Sequence, residues 1–217
     1  MRIIRNPLPE AVPLAASVAR NPHLVLFVGR LHEEKGIELL VQAAVLARTT
    51  APELRFRIVG PCEARFGGGG EALQARLVEL AAGCDAHVEF TGPVFDDAVL
   101  AAHYAEASVF VYPSLAAKGE ASPVAPLEAL AQGCPVVTSD LECFDDTIGS
   151  GRFASRFDHT ATDAPARLLA EVVAVIDGKE QWPAASAAAV ARAGEFSMER
   201  IAGEYLAGFE ELNAAQS

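Results

Sequence analysis

Residues 107–138 read ASVFVYPSLAAKGEASPVAPLEALAQGCPVVT. The apolar runs Ala107–Tyr112 and Pro135–Thr138 predict two strands, and the stretch from about Val124 to Ala131 predicts a helix between them. A strand, a helix and a second strand in this order indicate a βαβ unit, in which the two strands lie parallel in one sheet.

The same alternation continues on both sides of this unit. Three earlier strands are predicted at Leu24–Gly29, Leu54–Gly60 and His87–Gly92. Helices are predicted over Gly36–Ala47 and Glu71–Ala82, from an Asp96 or Asp97 cap to about Tyr104, and then over Ala164–Ile176, Ala184–Ala193 and Ser197–Leu212. We therefore predict an α/β fold. It is a single Rossmann-like domain with a central parallel sheet flanked by helices, followed by C-terminal helices.

Composition narrows the class of protein. The 217 residues include 17 basic and 29 acidic side chains, for a net charge of −12, which argues against nucleic acid as a partner. No apolar run approaches the roughly 20 residues of a membrane span. The four cysteines form no C-x-x-C pair and no metal-ligand spacing, so we expect reduced thiols, no bound metal and a cytoplasmic protein.

Two carboxylates flank the start of the helix in the opening stretch. Glu120 lies in the preceding loop, and Glu128 lies eight residues later within the helix. A helix N-terminus offers free N–H groups and a partial positive charge to a phosphate, and carboxylates accept hydrogen bonds from sugar hydroxyls. This segment is therefore predicted to hold a phosphorylated sugar.

Further candidate residues follow the predicted strands, because ligands of open parallel sheets lie beyond the carboxyl ends of the strands. Gly29 ends the first strand, and Arg30 and Lys35 in the loop after it would bring two positive charges to an anion. The run Gly67–Gly70 predicts a mobile loop, since no Lys-Ser/Thr follows it as in a P-loop. A G-x-G-x-x-G motif is also missing, which disfavours a dinucleotide oxidoreductase.

These motifs, in this order and spacing, resemble the C-terminal domain of group 1 (family 4) retaining glycosyltransferases of the GT-B fold. The resemblance covers roughly residues 24–212, and the fold expected from it is one half of GT-B. It rests on Gly29-Arg30-Leu31 with Lys35-Gly36, on Phe90-Thr91-Gly92-Pro93-Val94, on Val109-Phe110-Val111-Tyr112-Pro113-Ser114, and on the segment from Glu120 through Leu127-Glu128-Ala129-Leu130 to Val137.

The resemblance implies a role for each candidate residue. The expected catalytic residues are Arg30 and Lys35, which would stabilise the leaving diphosphate, and Glu120, which would contact the hydroxyls of the donor sugar. The expected nucleotide-sugar-binding residues are Gly29, Pro61 and Val94 at strand ends, the last two near the base, the backbone of Ser122, Val124 and Ala125 at the phosphate and sugar, and Glu128 at the ribose. No cofactor or metal is expected.

The resemblance also implies how the chain is divided. Residues 1–23 resemble an interdomain linker, residues 24–195 would form the nucleotide-sugar-binding domain, and residues 196–217 would form a crossover-type helix. An N-terminal GT-B domain or subunit would supply the acceptor contacts. An exposed apolar stripe on the last helix predicts a homodimer. One departure is Pro123, where the family often has glycine, because proline lacks the N–H that would meet a phosphate.

The expected activity is retaining transfer of a hexose from a UDP-, GDP- or ADP-sugar to a sugar or lipid-linked acceptor. The alternatives are a non-catalytic module that binds nucleotide sugars, and a fragment that needs a separate acceptor domain. A sugar-nucleotide epimerase shares a GT-B-like fold, but the acid and base residues expected of it are not recognisable in this sequence.

Overall fold

The computed structural model describes residues 4–9, 18–83, 86–116, 120, 122–149 and 151–214. Within them six strands form one sheet in the order β3-β2-β1-β4-β5-β6, and each neighbouring pair of strands runs parallel. The strands are β1 Asn21–Val28, β2 Arg55–Val59, β3 Val88–Gly92, β4 Ala107–Tyr112, β5 Val136–Ser139 and β6 Ala154–Phe157. The predicted parallel sheet is confirmed.

Eight α-helices accompany the sheet in the described part of the chain. They are α1 Ile37–Thr50, α2 Glu71–Ala82, α3 Asp97–Glu106, α4 Val124–Ala131, α5 Cys143–Thr147, α6 Ala164–Asp177, α7 Trp182–Gly194 and α8 Met198–Ala214. One group packs together around α1, which contacts α2 and α6, and a second group forms around α4, which contacts α3 and α7. These two groups flank the sheet, as the sequence predicted.

The core lies in the centre of the sheet. All six residues of β4 are buried, and so are Leu24–Phe27 in β1. Strands covered by helices on both faces have no solvent-facing side, which is why these segments read as continuous apolar runs rather than alternating ones. Among the described helices, none has both the length and the apolar character needed to cross a bilayer.

Two elements differ from the predicted pattern. The strand β6 and the one-turn helix α5 were not predicted, because each is too short to show a period. In addition, β1 begins at Asn21 rather than Leu24, since Asn21 is already paired with Ala107 of β4. The predicted start of the third helix is accurate, because α3 begins directly after Asp96, whose carboxylate accepts hydrogen bonds from the backbone N–H groups of Ala98 and Val99.

Candidate functional site

The strand order places a crevice between β1 and β4. The chain runs outward from β1 through β2 to β3 and then returns to continue from β4 through β5 to β6. The loops after β1 and β4 therefore leave the sheet in opposite directions and open a cleft at their carboxyl ends, where open parallel sheets bind ligands. The loop 29–36 leaves β1 on one side of this cleft, and the loop that contains Glu120 leaves β4 on the other.

Lys35 and Glu120 meet across this cleft. Lys35 Nζ lies 2.6 Å from Glu120 Oε2, and their side chains are only 10% and 7% exposed. A charged pair this well shielded from water interacts more strongly than a surface pair. The structure thus brings together two of the three predicted catalytic residues.

The carboxylate of Glu120 has two further donors from the end of β4. Ser114 Oγ donates to Glu120 Oε2 over 2.8 Å, and the Tyr112 hydroxyl lies 3.4 Å from both carboxylate oxygens. Burial, and then the negative charge of Glu120, raise the pKa of Tyr112 far above its ordinary value, so the phenol stays protonated and acts as a donor. Lys35 Nζ also lies 5.7 Å from the centre of the Tyr112 ring.

The backbone around Lys35 is held by a close approach that only glycine allows. Gly36 has φ +66°, and a Cβ placed on it would lie 1.9 Å from the carbonyl oxygen of Pro113. A hydrogen bond nearby joins the same two loops, because the Leu115 N–H donates to the Glu34 carbonyl over 2.8 Å. The loops after β1 and β4 are therefore fixed against each other beside the Lys35–Glu120 pair.

Arg30 in the same loop has other partners than Lys35. Its guanidinium donates to Glu34 Oε1 over 3.0 Å and to the Gly67 carbonyl over 2.7 Å, and its side chain is partly exposed. Its positive charge nevertheless reaches the site, since it lowers the pKa of Tyr112 against the larger effects of burial and Glu120. The two predicted cations are thus near the same strand end, but only Lys35 contacts Glu120.

The loops after β1 and β2 pack backbone to backbone. A Cβ on Gly60 would lie 1.9 Å from the carbonyl oxygen of Gly29, and the Leu31 N–H donates to the Pro61 carbonyl over 2.9 Å. The run Gly67–Gly70, predicted as a mobile loop, joins this arrangement, because Gly69 N–H donates to the Leu31 carbonyl over 2.7 Å. This glycine run is packed against its neighbours rather than projecting from the molecule.

The helix α4 begins four residues after Glu120. The N-cap residue is Pro123, whose side chain cannot accept a capping hydrogen bond. The first N–H groups of a helix have no partner within it, so those of Val124 and Ala125 are available to a ligand. Ser122 lies just before the cap, and its hydroxyl accepts a hydrogen bond from the backbone N–H of Asn6 over 3.0 Å.

Glu128 lies on α4 with a different partner from Glu120. The buried Tyr104 hydroxyl on α3 donates to Glu128 Oε2 over 2.8 Å. Burial raises the pKa of Glu128, the hydrogen bond from Tyr104 lowers it, and the charge of Asp97 raises it further. A carboxylate held by one fixed donor keeps its other oxygen free to accept hydroxyl groups.

The remaining predicted binding residues lie at the carboxyl ends of the neighbouring strands. Pro61 follows β2 and Val94 follows β3, so both occupy the edge at which Lys35 and Glu120 meet. Phe95 comes directly after Val94, is 75% exposed, and pairs with Phe66 at a ring distance of 5.7 Å. Among the described residues, no cluster of three or more His, Cys, Asp or Glu side chains is arranged to hold a metal ion.

Three residues that position the carboxylates were not predicted as site residues. They are Tyr112 and Ser114, which donate to Glu120, and Tyr104, which donates to Glu128. Tyr112 and Ser114 carried a usable signal, since they are the polar groups at the carboxyl end of a strand in an otherwise apolar run. Tyr104 carried none, because a tyrosine on the buried face of a helix looks like a core residue.

The fold and the cleft define a parallel α/β domain of the Rossmann-like kind, with its polar groups at the switch point of the sheet. Residues 22–178 match the family described as "Glycosyl transferases group 1". The chain therefore belongs to the group 1 glycosyltransferases, and the predicted resemblance is confirmed.

Curated relatives agree with this membership. The chain is 32% identical over 178 residues to a phosphatidyl-myo-inositol mannosyltransferase of Mycobacterium tuberculosis, a match that covers 80% of this chain and 44% of that protein. It is 33% identical over 208 residues to a D-inositol 3-phosphate glycosyltransferase of Geodermatophilus obscurus, covering 91% of this chain and 43% of the relative. The chain spans less than half the length of the curated relatives it matches.

In solved structures of similar fold, this chain likewise covers a little less than half of the other protein's length. A sucrose-phosphate synthase from Thermosynechococcus elongatus superposes with a TM-score of 0.71 at 26% identity, over 88% of this chain and 46% of that one. The Anabaena protein HepE, solved with UDP and glucose, superposes with a TM-score of 0.73 at 18% identity, over 87% of this chain and 48% of that one. The second likeness shows the fold alone. The chain corresponds to one half of a GT-B fold.

Proposed function

We propose that this chain is the donor-binding, C-terminal half of a retaining glycosyltransferase that takes a hexose from a nucleoside diphosphate sugar. The observation that carries the proposal is the buried Lys35–Glu120 pair at the switch point of the sheet. It unites a cation suited to phosphate with a carboxylate suited to sugar hydroxyls, and the helix α4 begins four residues after that carboxylate. Family membership and the UDP bound to HepE support the same ligand class.

The diphosphate would lie between Lys35 and the N-terminus of α4. Lys35 Nζ carries three donors, so it can keep Glu120 as a partner and still donate to a phosphate oxygen. The N–H groups of Val124 and Ala125 would supply neutral donors, and Arg30 would add a second positive charge from the β1 loop. These groups would balance the charge that develops on the diphosphate as it leaves, so the proposal assigns no metal.

The sugar and the ribose would be held by different carboxylates. Glu120 accepts from Ser114, Tyr112 and Lys35, which orient it towards the hydroxyls of the hexose. Glu128 is oriented by Tyr104 and would accept from the ribose hydroxyls. The base would lie at the ends of β2 and β3, beside Pro61 and Val94. Gly29, which has no side chain, would allow the backbone at the end of β1 to come close to the nucleotide.

Transfer with retention would proceed on one face of the sugar. The bond between the anomeric carbon and the diphosphate oxygen breaks, and the acceptor hydroxyl oxygen bonds to the same carbon. The acceptor proton then passes to the leaving phosphate oxygen. The protein's main contribution would be to stabilise the negative charge on that oxygen, and Lys35 and Arg30 would supply the positive charges for it. The acceptor, a sugar or a lipid-linked molecule, would be bound by an N-terminal GT-B domain or subunit.

The first test is calorimetric titration of the chain with UDP, GDP and ADP, and then with the hexose-linked form of whichever diphosphate binds. We expect selective binding that Glu128→Ala and Lys35→Ala each abolish. The control is Arg55→Ala, on the exposed start of β2, which should bind as the unaltered protein does.

A second measurement separates an enzyme from a module that only binds. Glycosyl transfer in the presence of a separately supplied N-terminal half would support the enzyme. Binding of the donor without transfer under the same conditions would favour the non-catalytic module. Absence of binding to all three diphosphates, with the substituted proteins behaving as the unaltered one, would contradict the proposed function.

A further inference from the structure

The segment 4–9 is attached to the residue that precedes the α4 cap. The backbone N–H of Asn6 donates to Ser122 Oγ over 3.0 Å, and Asn6 Nδ2 donates to the Ser122 carbonyl over 2.9 Å. The hydroxyl and the carbonyl of Ser122 are therefore both bound by one residue, Asn6. One bond comes from the backbone of Asn6 and the other from its planar side-chain amide. Together they fix the orientation of Ser122 as well as its distance from Asn6.

The segment that carries Asn6 is itself fixed to three other elements. The Leu8 N–H donates to the Phe196 carbonyl over 2.7 Å, just before α8. Ile4 and Leu8 pack against a small apolar cluster formed by Leu127, Phe196 and Ile201. An ion pair joins Arg5 to Asp146 in α5. Asn6 is thus presented to Ser122 from a support that does not depend on the Ser122 bonds.

Ser122 is placed where its orientation matters most. It lies two residues after Glu120 and directly before Pro123, the N-cap of α4. Holding its hydroxyl and its carbonyl fixes the peptide planes that lead into the helix, and with them the directions of the Val124 and Ala125 N–H groups. Proline at the cap supplies no side-chain acceptor to do this locally.

We propose that Asn6 is a positioning residue for the donor site, which acts through Ser122 on the phosphate-facing start of α4. This inference rests on the proposed function. Asn6 would not touch the donor, and it would make binding of the diphosphate sugar depend on the segment that leads into the domain. Any displacement of residues 4–9 would move Ser122 through the same two hydrogen bonds and would thereby change how the start of α4 binds the phosphate.

The test compares a diphosphate sugar with its nucleoside. UDP-glucose, GDP-mannose and ADP-glucose, and the nucleoside of whichever binds, are titrated into the unaltered protein, Asn6→Ala and Ser122→Ala. Asn6→Ala removes only the bond from Nδ2 to the Ser122 carbonyl, and Ser122→Ala removes only the acceptor of the Asn6 backbone N–H. Each variant should therefore bind the diphosphate sugar roughly two- to tenfold more weakly, since one hydrogen bond is worth about 0.5–1.5 kcal/mol and 1.4 kcal/mol is tenfold. The affinity for the nucleoside, which Glu128 would hold, should stay unchanged.

Two further proteins make the result specific. Asn21→Ala is the matched control, because Asn21 accepts from the His23 N–H at the amino end of β1, away from the cleft, and it should change neither affinity. In a double-mutant cycle, Asn6→Ala should cost less in the Ser122→Ala background than alone, because the two bonds hold the same residue and loss of the first already frees its orientation. Thermal melting establishes that each protein is folded.

The outcomes separate this inference from the proposed function. Unchanged affinity of Asn6→Ala for the diphosphate sugar would overturn the role of Asn6 while leaving the donor site intact. An equal loss for sugar nucleotide and nucleoside would also overturn it, since that pattern marks general damage to the fold. If the unaltered protein bound no nucleoside diphosphate sugar, the proposed function would fail and this inference with it.

Discussion

The buried pairing of Lys35 with Glu120 gives both residues a structural role beside the role in the donor site that we propose for them. Removing one partner of a buried ion pair leaves the other charge uncompensated, which costs about 3–5 kcal/mol. Here Ser114 and Tyr112 still donate to Glu120, so we expect Lys35→Met to lie at the lower end of that range. Urea denaturation at neutral pH would measure the loss.

Arg30 provides the matched comparison for Lys35. Its pair with Glu34 is exposed on both sides, and exposed pairs contribute about 0–1 kcal/mol, so Arg30→Met should be nearly neutral for stability. Adding Glu120→Gln to Lys35→Met should recover part of the lost stability, because no buried charge is then left alone. Equal losses from the two methionine substitutions would show that the Lys35–Glu120 pair is not buried as described.

Glu128 is a residue at which stability and binding are opposed. Burial raises its pKa in the folded protein, so ionisation costs folding free energy at every pH above the folded-state pKa. Below the ordinary pKa of a glutamate, about 4.3, the side chain is protonated in both states and that cost is absent. We therefore expect Glu128→Gln, which can still accept from Tyr104, to raise the melting temperature at pH 7 and to leave it unchanged near pH 4.

The same substitution should weaken nucleotide binding at pH 7, because a carboxylate accepts ribose hydroxyls better than an amide does. In the unaltered protein, nucleotide affinity should fall as the pH drops through the raised pKa of Glu128. Tyr104→Phe removes the bond that favours the charged form, so it should move that midpoint to higher pH. A melting temperature that fell in Glu128→Gln at pH 7 would contradict the conclusion that ionisation of the buried Glu128 costs folding free energy.

At the scale of elements, Gly36 connects the loop after β1 to the loop after β4. Any side chain there would meet the Pro113 carbonyl and would need a left-handed backbone. Gly36→Ala should lose about 2–5 kcal/mol, from about 1–2 kcal/mol for the backbone and about 1–3 kcal/mol for overpacking. The donor affinity should fall with it, because Lys35 immediately precedes Gly36.

Gly203 is the matched control for this substitution. It lies inside α8 with open space around it, so Gly203→Ala should stabilise the protein by roughly 0.5–1 kcal/mol through helix propensity. Urea denaturation of the two variants should therefore show changes of opposite sign. Tolerance of Gly36→Ala would mean that the two loops are not held in contact.

The long elements of this fold could be predicted from the sequence, whereas the short ones could not. β4 is a run of six buried residues, β1 contains the four buried residues Leu24–Phe27, and α6 spans 14 residues with a clear apolar stripe. β6 has four residues, Ala154–Phe157, of which only Phe157 is buried. An edge strand of that kind takes its structure from pairing with β5, which is a long-range contact and leaves no local period.

The candidate site was predictable in its location but not in its pairings. The carboxyl ends of strands and the helix after Pro123 are marked in the sequence by glycine, proline and isolated charges. Which charge meets which depends on three-dimensional placement. Arg30 and Lys35 were expected to bring two positive charges to the same rim, and the sequence did not show that Arg30 donates to the Gly67 carbonyl while Lys35 pairs with Glu120.

For the whole molecule, the polar cleft and an apolar surface lie on different elements. α8 buries Ile201 against the small cluster with Leu127 and Phe196, so only its beginning is anchored to the domain. The rest of the helix leaves large apolar side chains in solvent: Tyr205 45%, Leu206 63%, Phe209 60% and Leu212 62% exposed. A contiguous apolar stripe of this size is typical of an interface rather than of a free surface.

We expect this stripe to cause self-association of the isolated chain. Sedimentation velocity over a range of protein concentrations should show a monomer that gives way to a dimer as the concentration rises. Replacing Leu206 and Phe209 together by glutamine should hold the protein monomeric, because both are strongly exposed apolar side chains of the stripe and their burial on association would no longer be favourable. Leu46→Gln with Val78→Gln, exposed apolar residues on α1 and α2, is the matched control and should leave the dimer unchanged. A protein that stays monomeric at high concentration would contradict the dimer.

In that case the α8 stripe would be a surface for the N-terminal half that the proposed function requires. Adding that half should then protect the backbone amides of α8 from hydrogen exchange.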